Sequence, residues 1–476
     1  MTYSSKHSPI PVSRFLAVGL LCSLLGGCMV GPNYHVPPTP APPAYKEPAP
    51  ASAIAVPAGA AWWKVFNDAT LDDLEQQAIA ANPDIQIAVA HVDQADGARR
   101  AVHSAQLPTI TAGASAARTR VAQQRPLNGN TNGNAATFND FQLPLSLGYE
   151  IDAWGRIRRM VQSATASEQA TEADLRFVRL SVAASVATDY YTLREADADI
   201  NILQTTIVDL QRGYDITNNQ FQRGLISELA VRQAQTILDQ TRARVEALHI
   251  QRSQSEHAIA ALLGRPASGF AIAERTTLPL PPVIPAGVPA DLLGRRPDIA
   301  SAERSAAAAS EQIGVAKAAY LPQISLTGFA GYESTNPATL LNWQNSIASM
   351  AASAVAPVFT GGRLKANVDQ AQALYRQSVA QYEKTVLVAY QDVEDQLAAL
   401  HYLSNQFDAE SSAVADAKRA EEIASNRYNT GLVSYLDVVF AEQTLLANQE
   451  ISTQVQGQRM MTTVALIRAL GGSWNN

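Results

Sequence analysis

The side chains that most often carry enzyme chemistry are few and scattered in this sequence. Two of the 476 residues are cysteines and seven are histidines, and the histidines form no cluster. The sequence contains no H-E-x-x-H, no paired C-x-x-C, no phosphate-binding G-x-x-x-x-G-K and no G-x-S-x-G motif. We therefore expect no catalytic residue, no metal site and no cofactor other than a covalent lipid.

Cys28 is placed for acylation of its thiol. It follows the apolar stretch "FLAVGLLCSLLGG", with Lys6 and Arg14 supplying positive charge upstream. This pattern is typical of a bacterial lipoprotein signal, which is cut immediately before the cysteine. We expect a signal peptide over residues 1–27 and lipid attachment at Cys28. An ordinary secretory signal with an incidental cysteine is the alternative.

The residues around Cys28 also bear on the compartment. Cys22 would leave with the signal, so the mature chain would hold no free thiol, as suits an oxidising periplasm. In bacterial lipoproteins an Asp directly after the lipidated cysteine commonly causes retention in the inner membrane. This chain has Met29 at that position, which favours the outer membrane. Prolines recur from Pro32 to Pro57, and they exclude helix or inner strand. Residues 28–60 are therefore predicted to be a lipidated, extended tether.

The charge of the chain argues against nucleic acid as a partner. Charged residues make up 17% of the sequence and the formal net charge is −7. A nucleic-acid-binding protein would show a basic face instead. An acidic balance suits a water-filled surface.

The chain contains an internal repeat. The segment "NPDIQIAVAHVDQADGARRAVHSAQLP" from Asn82 matches "RPDIASAERSAAAASEQIGVAKAAYLP" from Arg296, and "NNQFQRGLISELAV" from Asn218 matches "SNRYNTGLVSYLDV" from Ser425. The offset is 214 residues before the predicted strands and 207 after them, and we assign the difference to the loop around "NGNTNGN". Register held over this length indicates a duplicated unit. We predict structural repeats over 61–275 and 276–476, each with a helix, a β-hairpin and long helices.

Each repeat contains segments that alternate with a period of two. In "FQLPLSLGYEI" the odd positions from Phe141 to Ile151 are apolar, which predicts a strand with one apolar and one wet face. Residues 321–332 alternate less cleanly, because Phe329 breaks the pattern. The stretch "SIASMAASAVAPVF" is ambiguous alone and is predicted to be a strand by its place in the repeat.

The helical stretches follow a different period. Mostly apolar residues recur at alternating spacings of three and four, at Leu193, Ala196, Ile200, Leu203, Ile207, Leu210, Tyr214, Thr217 and Phe221. This heptad pattern predicts coiled-coil-like packing. The stretch from Arg156 to Arg212 would be about 85 Å long at 1.5 Å per residue, too long for a compact domain.

Four strands per chain are too few to close a membrane barrel, whose smallest examples have eight. The sequence after the signal has no run of about 20 apolar residues that could span a bilayer as a helix. Oligomerisation resolves the conflict, because three copies would supply twelve strands and a ring of long helices.

At this point the chain resembles the TolC-like outer-membrane efflux channels, in particular their lipoprotein branch, the NodT-type outer-membrane factors of tripartite RND-type pumps. The resemblance is carried by "GPNYHVP" after Cys28, "WWKVFNDATLDDLEQQAIAANPDIQIA" from Trp62, "YEIDAWGR" from Tyr149, "PVFTGGR" from Pro357 and "GLVSYLDV" from Gly431. It implies an α+β membrane protein, a homotrimer with a twelve-stranded β-barrel and a periplasmic α-barrel of twelve helices. It also implies outer-membrane lipid, a periplasmic adaptor and an inner-membrane pump as partners.

The resemblance also assigns residues. The turns around Gly224 and Gly431 would be periplasmic tips, where Gly supplies the backbone angles and a serine follows that could cap the returning helix. The family docks its adaptor at such tips, which implies contacts through Gly224, Leu225, Ser227, Gly431, Leu432 and Ser434. Turns that merely connect helices are the alternative.

Asp437 matches one of two acidic positions that family members present at the closed end of the channel. Three copies would form an acidic ring that attracts cations and narrows the pore; a plain solvated helix residue is the alternative. The second family acid falls at Phe440, where the sequence departs from the pattern. Phe440 would either form an apolar constriction of the gate or pack against a neighbouring helix. Ala230 stands at the equivalent of Asp437 in the first repeat.

The sequence therefore predicts a passive exit duct for small toxic compounds, anchored in the outer membrane and extending into the periplasm. A duct for type I protein secretion uses the same architecture and stays an alternative. A periplasmic adaptor lipoprotein would lack the alternating strand pairs, and an independent porin would need more strands.

Overall fold

The computed structural model describes residues 29–39, 41–47, 61–121, 136–285, 287 and 289–473. The predicted signal peptide, Cys28, the loop around "NGNTNGN" and much of the predicted tether lie outside these residues. The chain divides into two compact units. The first comprises residues 1–37, 93–169 and 303–380, and the second comprises residues 38–92, 170–302 and 381–476. Each unit takes segments from both predicted repeats.

Eight α-helices and five strands follow one another in the described parts of the chain. The helices are α1 (Ala69–Ala81), α2 (Pro83–His103), α3 (Arg156–Gln222), α4 (Glu228–Leu262), α5 (Leu292–Arg295), α6 (Pro297–Ala318), α7 (Arg363–Asn429) and α8 (Tyr435–Ala469). The strands are β1 (Thr109–Ala112), β2 (Ser115–Val121), β3 (Ala136–Ile151), β4 (Gln323–Ser334) and β5 (Ser346–Val355). Short 3₁₀ turns lie at Trp62–Phe66, Ser104–Gln106, Ala267–Gly269, Pro289–Asp291, Pro337–Thr339 and Trp343–Asn345.

The element order repeats with closely matched lengths. Helices α3 and α7 both contain 67 residues, and α4 and α8 both contain 35 residues. Helix α3 begins at Arg156 and α7 at Arg363, which reproduces the 207-residue offset seen in the sequence. The predicted combination of duplicated long helices with an antiparallel sheet is confirmed. The boundaries 61–275 and 276–476 stay a prediction.

The sheet of the first unit has five assigned strands where the sequence indicates four. Both β1 and β2 pair with β3 in one register, because Ala112 opposes Leu145 and Ser115 opposes Gln142. Pro144 lies opposite the break, and its carbonyl accepts a hydrogen bond from the Gly113 N–H at 2.9 Å. Proline has no N–H to return to the ladder. The two segments are therefore one strand of the sheet, interrupted at Pro144.

The sheet order is β1 and β2 beside β3, then β4, then β5, all antiparallel. Pro144 also faces Gly331 of β4. A Cβ atom at position 331 would collide with the carbonyl oxygen of Leu143 and the Cα of Pro144. Gly331 is thus required by the close approach of β3 and β4, which accommodates a proline inside the sheet.

The second unit is helical and buries six of the nine heptad positions read from the sequence, whereas Phe221 at the end of α3 is 37% exposed. Leu193, Leu203 and Leu210 of α3 are all buried. The main core of this unit combines Leu193 with aromatic residues, including Trp62, Phe66, Tyr190 and Tyr191, and Leu203 packs in a second cluster with Ile200, Val245 and Leu446. Aromatic rings contribute large apolar areas to such a core. The alternating three-and-four spacing therefore marks the packed face of α3.

A buried polar network holds the segment after α4 against α3. The Asp197 carboxylate accepts hydrogen bonds from Arg194 at 2.8 Å and from Arg252 at 2.7 Å. The same two guanidinium groups donate to the carbonyl oxygens of Ala273 and Ile272. Burial of these charges is offset by the ion pairs and carbonyl contacts. The network stabilises the connection between the two repeats.

Among the residues that the structure describes, no helix is both long and apolar enough to cross a membrane.

Candidate functional site

The turn between α3 and α4 is built on Gly224. Its φ is +72°, in the left-handed region that glycine occupies at little cost. The Gly224 N–H donates to the Phe221 carbonyl at 2.8 Å, and the Leu225 N–H donates to the Gln220 carbonyl at 3.0 Å. These bonds satisfy the carbonyl groups that a helix end leaves free. The turn thus ends α3 with the Gln220 and Phe221 carbonyl groups hydrogen-bonded.

The turn between α7 and α8 repeats this geometry. Gly431 has a φ of +76°, and the Leu432 N–H donates to the Arg427 carbonyl at 2.9 Å. Leu225 and Leu432, the residues after the two glycines, are each 70% exposed. The two predicted tips are therefore structural copies that present one apolar side chain each. Contact with an adaptor stays a prediction for all six tip residues.

The two serines after the glycines differ in their role. The carboxylate of Asp437 accepts hydrogen bonds from the backbone N–H of Ser434 at 3.0 Å and from its hydroxyl at 2.7 Å. The bond from the Ser434 N–H, together with the Ser434 side chain accepting from the Asp437 N–H, forms a capping box at the start of α8. Ser227 makes no side-chain capping bond at the start of α4. The first repeat has Ala230 at the position of Asp437, so no carboxylate is available there to bind the backbone N–H of Ser227.

Capping lowers the pKa of Asp437, first through the hydrogen bond from the Ser434 hydroxyl and then through backbone N–H groups and Arg427. The group is thus held in its charged form. Asp437 is exposed, and Phe440, one turn along α8, is 59% exposed. The assignment of these two residues to a periplasmic gate stays a prediction.

Side-chain contacts join the two tip hairpins. The Gln220 amide donates to the Tyr428 hydroxyl at 3.1 Å. The Tyr428 and Tyr435 rings meet edge to face with centroids 5.3 Å apart. The Tyr435 hydroxyl occupies the space beside Gly213 that a Cβ atom would need. The absence of a side chain at Gly213 of α3 therefore allows Tyr435, the first residue of α8, to pack against this helix.

Sequence reasoning missed a group of carboxylates near the tips. Asp209, Glu421 and Glu442 come from α3, α7 and α8 and line one cavity. The Glu442 Oε2 atom is buried without a hydrogen-bond partner among the described residues. Heptad periodicity could have indicated that these helices pack, but it does not show which polar side chains meet.

The segment that follows Cys28 is packed against the first unit. The Val30 N–H donates to the Trp154 carbonyl at 3.1 Å. Gly31 has a φ of +109° and lies so close to Gly314 that a Cβ atom would collide with the Gly314 Cα. The Tyr34 hydroxyl donates to the Glu303 carboxylate at 2.6 Å.

A buried ion pair lies beside this segment. Arg159 binds Glu311 at 2.7 Å with side chains that are 2% and 11% exposed, and it also donates to Asn33 at 3.3 Å. In the second unit the Lys46 N–H donates to Glu394 at 2.9 Å. The described part of the predicted tether is therefore held by hydrogen bonds at Val30, Asn33, Tyr34 and Lys46; its assignment as a tether over residues 28–60 stays a prediction. Cys28 itself lies outside the described residues, so its lipid attachment stays a prediction.

Within the described ranges, no group of three or more His, Cys, Asp or Glu side chains is arranged to hold a metal ion.

The duplicated helix pairs, their glycine turns and the single antiparallel sheet together define the class of TolC-like outer-membrane channels.

Comparison with known proteins places the chain within that class. Residues 74–265 and 288–472 match the family described as outer membrane efflux protein. The chain is 33% identical to the solvent efflux pump outer membrane protein SrpC of Pseudomonas putida, over 95% of this chain and 97% of SrpC. It is 29% identical to the cation efflux system protein CusC of Escherichia coli, over 94% and 96% of the two chains.

A solved structure agrees with these relatives. The outer-membrane channel OprN superposes with a TM-score of 0.87 at 28% identity, covering 94% of this chain and 99% of OprN. The chain belongs to the outer membrane efflux protein family. The sequence-based prediction of an outer-membrane efflux channel is confirmed.

Proposed function

We propose that this chain is one third of a trimeric exit duct in the outer membrane, which passively conducts small toxic compounds delivered by a tripartite efflux pump. The observation that carries the proposal is family membership along nearly the whole length, since the match covers 97% of SrpC. A duct of this kind does no chemistry of its own. The energy comes from the inner-membrane partner.

The free edges of the sheet support a trimer. Among the described strands, β5 pairs only with β4, and β1 and β2 pair only with β3. Such edges carry unpaired N–H and C=O groups that attract another strand. If β5 of one copy pairs with β1 and β2 of the next, three copies close a twelve-stranded wall. The same threefold arrangement brings twelve long helices around the axis.

The tips support an adaptor contact. Leu225 and Leu432 are exposed at the apices of two structurally matched turns. Exposed apolar side chains on an ordered turn are suited to enter a groove on a partner. The partner we propose is a periplasmic adaptor, which connects the duct to an RND-type pump in the inner membrane.

The docked N-terminal segment supports lipid attachment at Cys28. Met29 packs against Gly155, and Val30 binds Trp154, at the connection between β3 and α3. Cys28 precedes these residues directly, so the lipid would enter the bilayer at this end of the sheet. We therefore propose that the lipid is attached next to the sheet and not at the end of a long flexible tether.

The substrate class is proposed from the relatives. SrpC is named for solvent efflux and CusC for cation efflux. We propose small toxic compounds as the substrate class, because the name of SrpC indicates solvents.

Separate deletion tests the function. The gene for this chain and the gene for its pump are removed separately, and growth is compared on a panel of drugs, dyes, detergents and solvents. Both deletions should sensitise the cells to the same compounds, and the intact chain should restore resistance. If only the secretion of a protein is lost, the duct serves type I secretion instead.

A further inference from the structure

Carboxylates from three helices converge close to the second tip. Asp209, Glu421 and Glu442, with the side chains of Tyr428 and Tyr435, line a cavity of about 310 Å³. Tyr435 is the first residue of α8, and Tyr428 lies one residue before the end of α7. The cavity therefore lies at the base of the turn that contains Gly431.

The positive charge around this cavity does not balance the negative charge. Arg212 lines the cavity and is paired with Asp209 at 3.1 Å. The positive charge of Lys418, on α7, attracts the Glu421 carboxylate and partly offsets the rise in its pKa. Glu442 receives only the longer-range attraction of Arg212, which is opposed by Asp209 and Glu421. A negative charge on Glu442 is thus poorly compensated.

Glu442 is the least satisfied member of the group. Its Oε2 atom is buried and has no hydrogen-bond partner among the described residues. Burial is the main reason that its pKa rises to about 7, and the neighbouring Asp209 and Glu421 add to the rise. Burial also raises the pKa of Glu421 and of the Tyr435 phenol. Both protonation states of Glu442 are therefore accessible near neutral pH.

The walls of the cavity are the contacts that hold the second tip. Tyr435 sits on Gly213 of α3 and contacts the Tyr428 ring of α7. A negative charge on Glu442 would draw water into the cavity, because hydration stabilises a carboxylate that is otherwise buried. Water in the cavity would weaken these contacts. Protonation of one side chain is thus positioned to change how α8 packs.

We propose that Glu442 is a proton-operated latch: its neutral form lets α8 pack against α3 and α7, and its ionisation loosens the second tip. The packed tip is most stable below the ordinary glutamate pKa, and this stability is lost as the pH rises towards about 7 and beyond. Acidic surroundings would close the tip, and alkaline surroundings would favour its opening.

Hydrogen exchange of the purified full-length protein tests the latch. Residues 428–445 are followed at about pH 5.5 and about pH 8.5, after correction for the intrinsic pH dependence of exchange. The wild type should open several-fold more often at the higher pH, and Glu442→Gln should open equally rarely at both. Glu246→Gln, on an exposed position of α4, should behave as the wild type.

A second variant tests the cause. Glu421→Gln removes a neighbouring negative charge, so it should move the midpoint of the transition to lower pH. A wild type whose corrected exchange is the same at both pH values overturns the proposal. So does an undiminished pH response in Glu442→Gln.

The effect on transport rests on the proposed function and is measured separately, as single-channel conductance in planar bilayers over the same pH range. The open fraction should rise with pH in the wild type and not in Glu442→Gln. A channel that conducts without this difference overturns the latch as a gate. A protein that shows the exchange response but conducts no ions contradicts the duct and leaves the latch supported.

Discussion

The Asp437 carboxylate binds both the backbone N–H and the hydroxyl of Ser434, so the predicted gate residue is also the cap of its own helix. The charge that would face the channel axis is the same charge that holds the first turn of α8. Substitution by alanine removes both functions together. A test of gating must therefore separate charge from capping.

Two variants of Asp437 make this separation. Asparagine keeps an oxygen that can accept from Ser434, whereas alanine keeps none. Asp437→Ala should raise hydrogen exchange over residues 434–440 several-fold, and Asp437→Asn should raise it less. If Asp437 also forms an acidic ring, both variants should lower cation preference in planar bilayers to a similar degree. Unchanged preference in both would remove the gate role.

The cap has a predictable pH dependence. The pKa of Asp437 is lowered in the folded chain, so the stabilisation is complete above the ordinary aspartate pKa. It is lost as the pH falls through the lower folded value. In the Glu442→Gln background, which removes the titration of Glu442, exchange of the 434–440 segment should therefore stay flat from neutral to mildly acidic pH and rise only in strong acid. Asp437→Ala should show no such rise.

The two tip glycines should each resist substitution. Gly224→Ala and Gly431→Ala place a Cβ in the left-handed region, which costs about 1–2 kcal/mol. Thermal unfolding and exchange of the adjoining turns measure the effect. Gly97→Ala is the matched control, because Gly97 lies within α2 with no heavy atom within 4 Å of the added Cβ. It should be neutral or stabilising by about 0.5–1 kcal/mol.

The buried pair Arg159–Glu311 should hold the N-terminal segment in place. Arg159→Met leaves Glu311 buried without its partner, at a cost of about 3–5 kcal/mol. Limited proteolysis should then cut residues 29–37 faster, and the unfolding temperature should fall. Arg232→Met breaks an exposed pair with Glu228 and should cost less than about 1 kcal/mol. Equal effects of the two substitutions would contradict this assignment.

Glu195 should give the second unit a pH-dependent stability. Burial and then Asp199 raise its pKa to about 7, and its carboxylate fills the space beside Gly457. The folded state is therefore destabilised as the pH rises from the ordinary glutamate pKa towards 7. Glu195→Gln should unfold at higher denaturant concentration than the wild type at about pH 8, but not at about pH 4.5. Glu246→Gln should show no such difference.

The sequence predicted the features that depend on local pattern. The heptad residues of α3, such as Leu193 and Leu203, lie on its packed face, and Gly224 and Gly431 have the positive φ that a glycine turn requires. The repeat predicted paired elements, and α3 and α7 indeed have equal length. Period and turn chemistry act over a few residues, so they can be read without the fold.

Other features depend on residues far apart in the chain. Proline composition predicted an extended N-terminal segment, but its docking depends on Gly155 in the β3–α3 connection, Arg159 of α3 and Gly314 of α6. The two tips share a sequence motif, yet only Ser434 has an acid three residues on. Five strands were assigned in place of four because Pro144 interrupts the pairing of one neighbouring strand.

The amino-acid order by itself determined a duplicated chain of long amphipathic helices and two-faced strands, because periodicity and glycine turns are properties of adjacent residues. Only the tertiary structure decided which side chains meet between helices. The pKa of Glu442 is raised in part because α3 and α7 place the carboxylates of Asp209 and Glu421 in the same cavity. The electrostatic free energy depends on distances in space and not on distances along the chain.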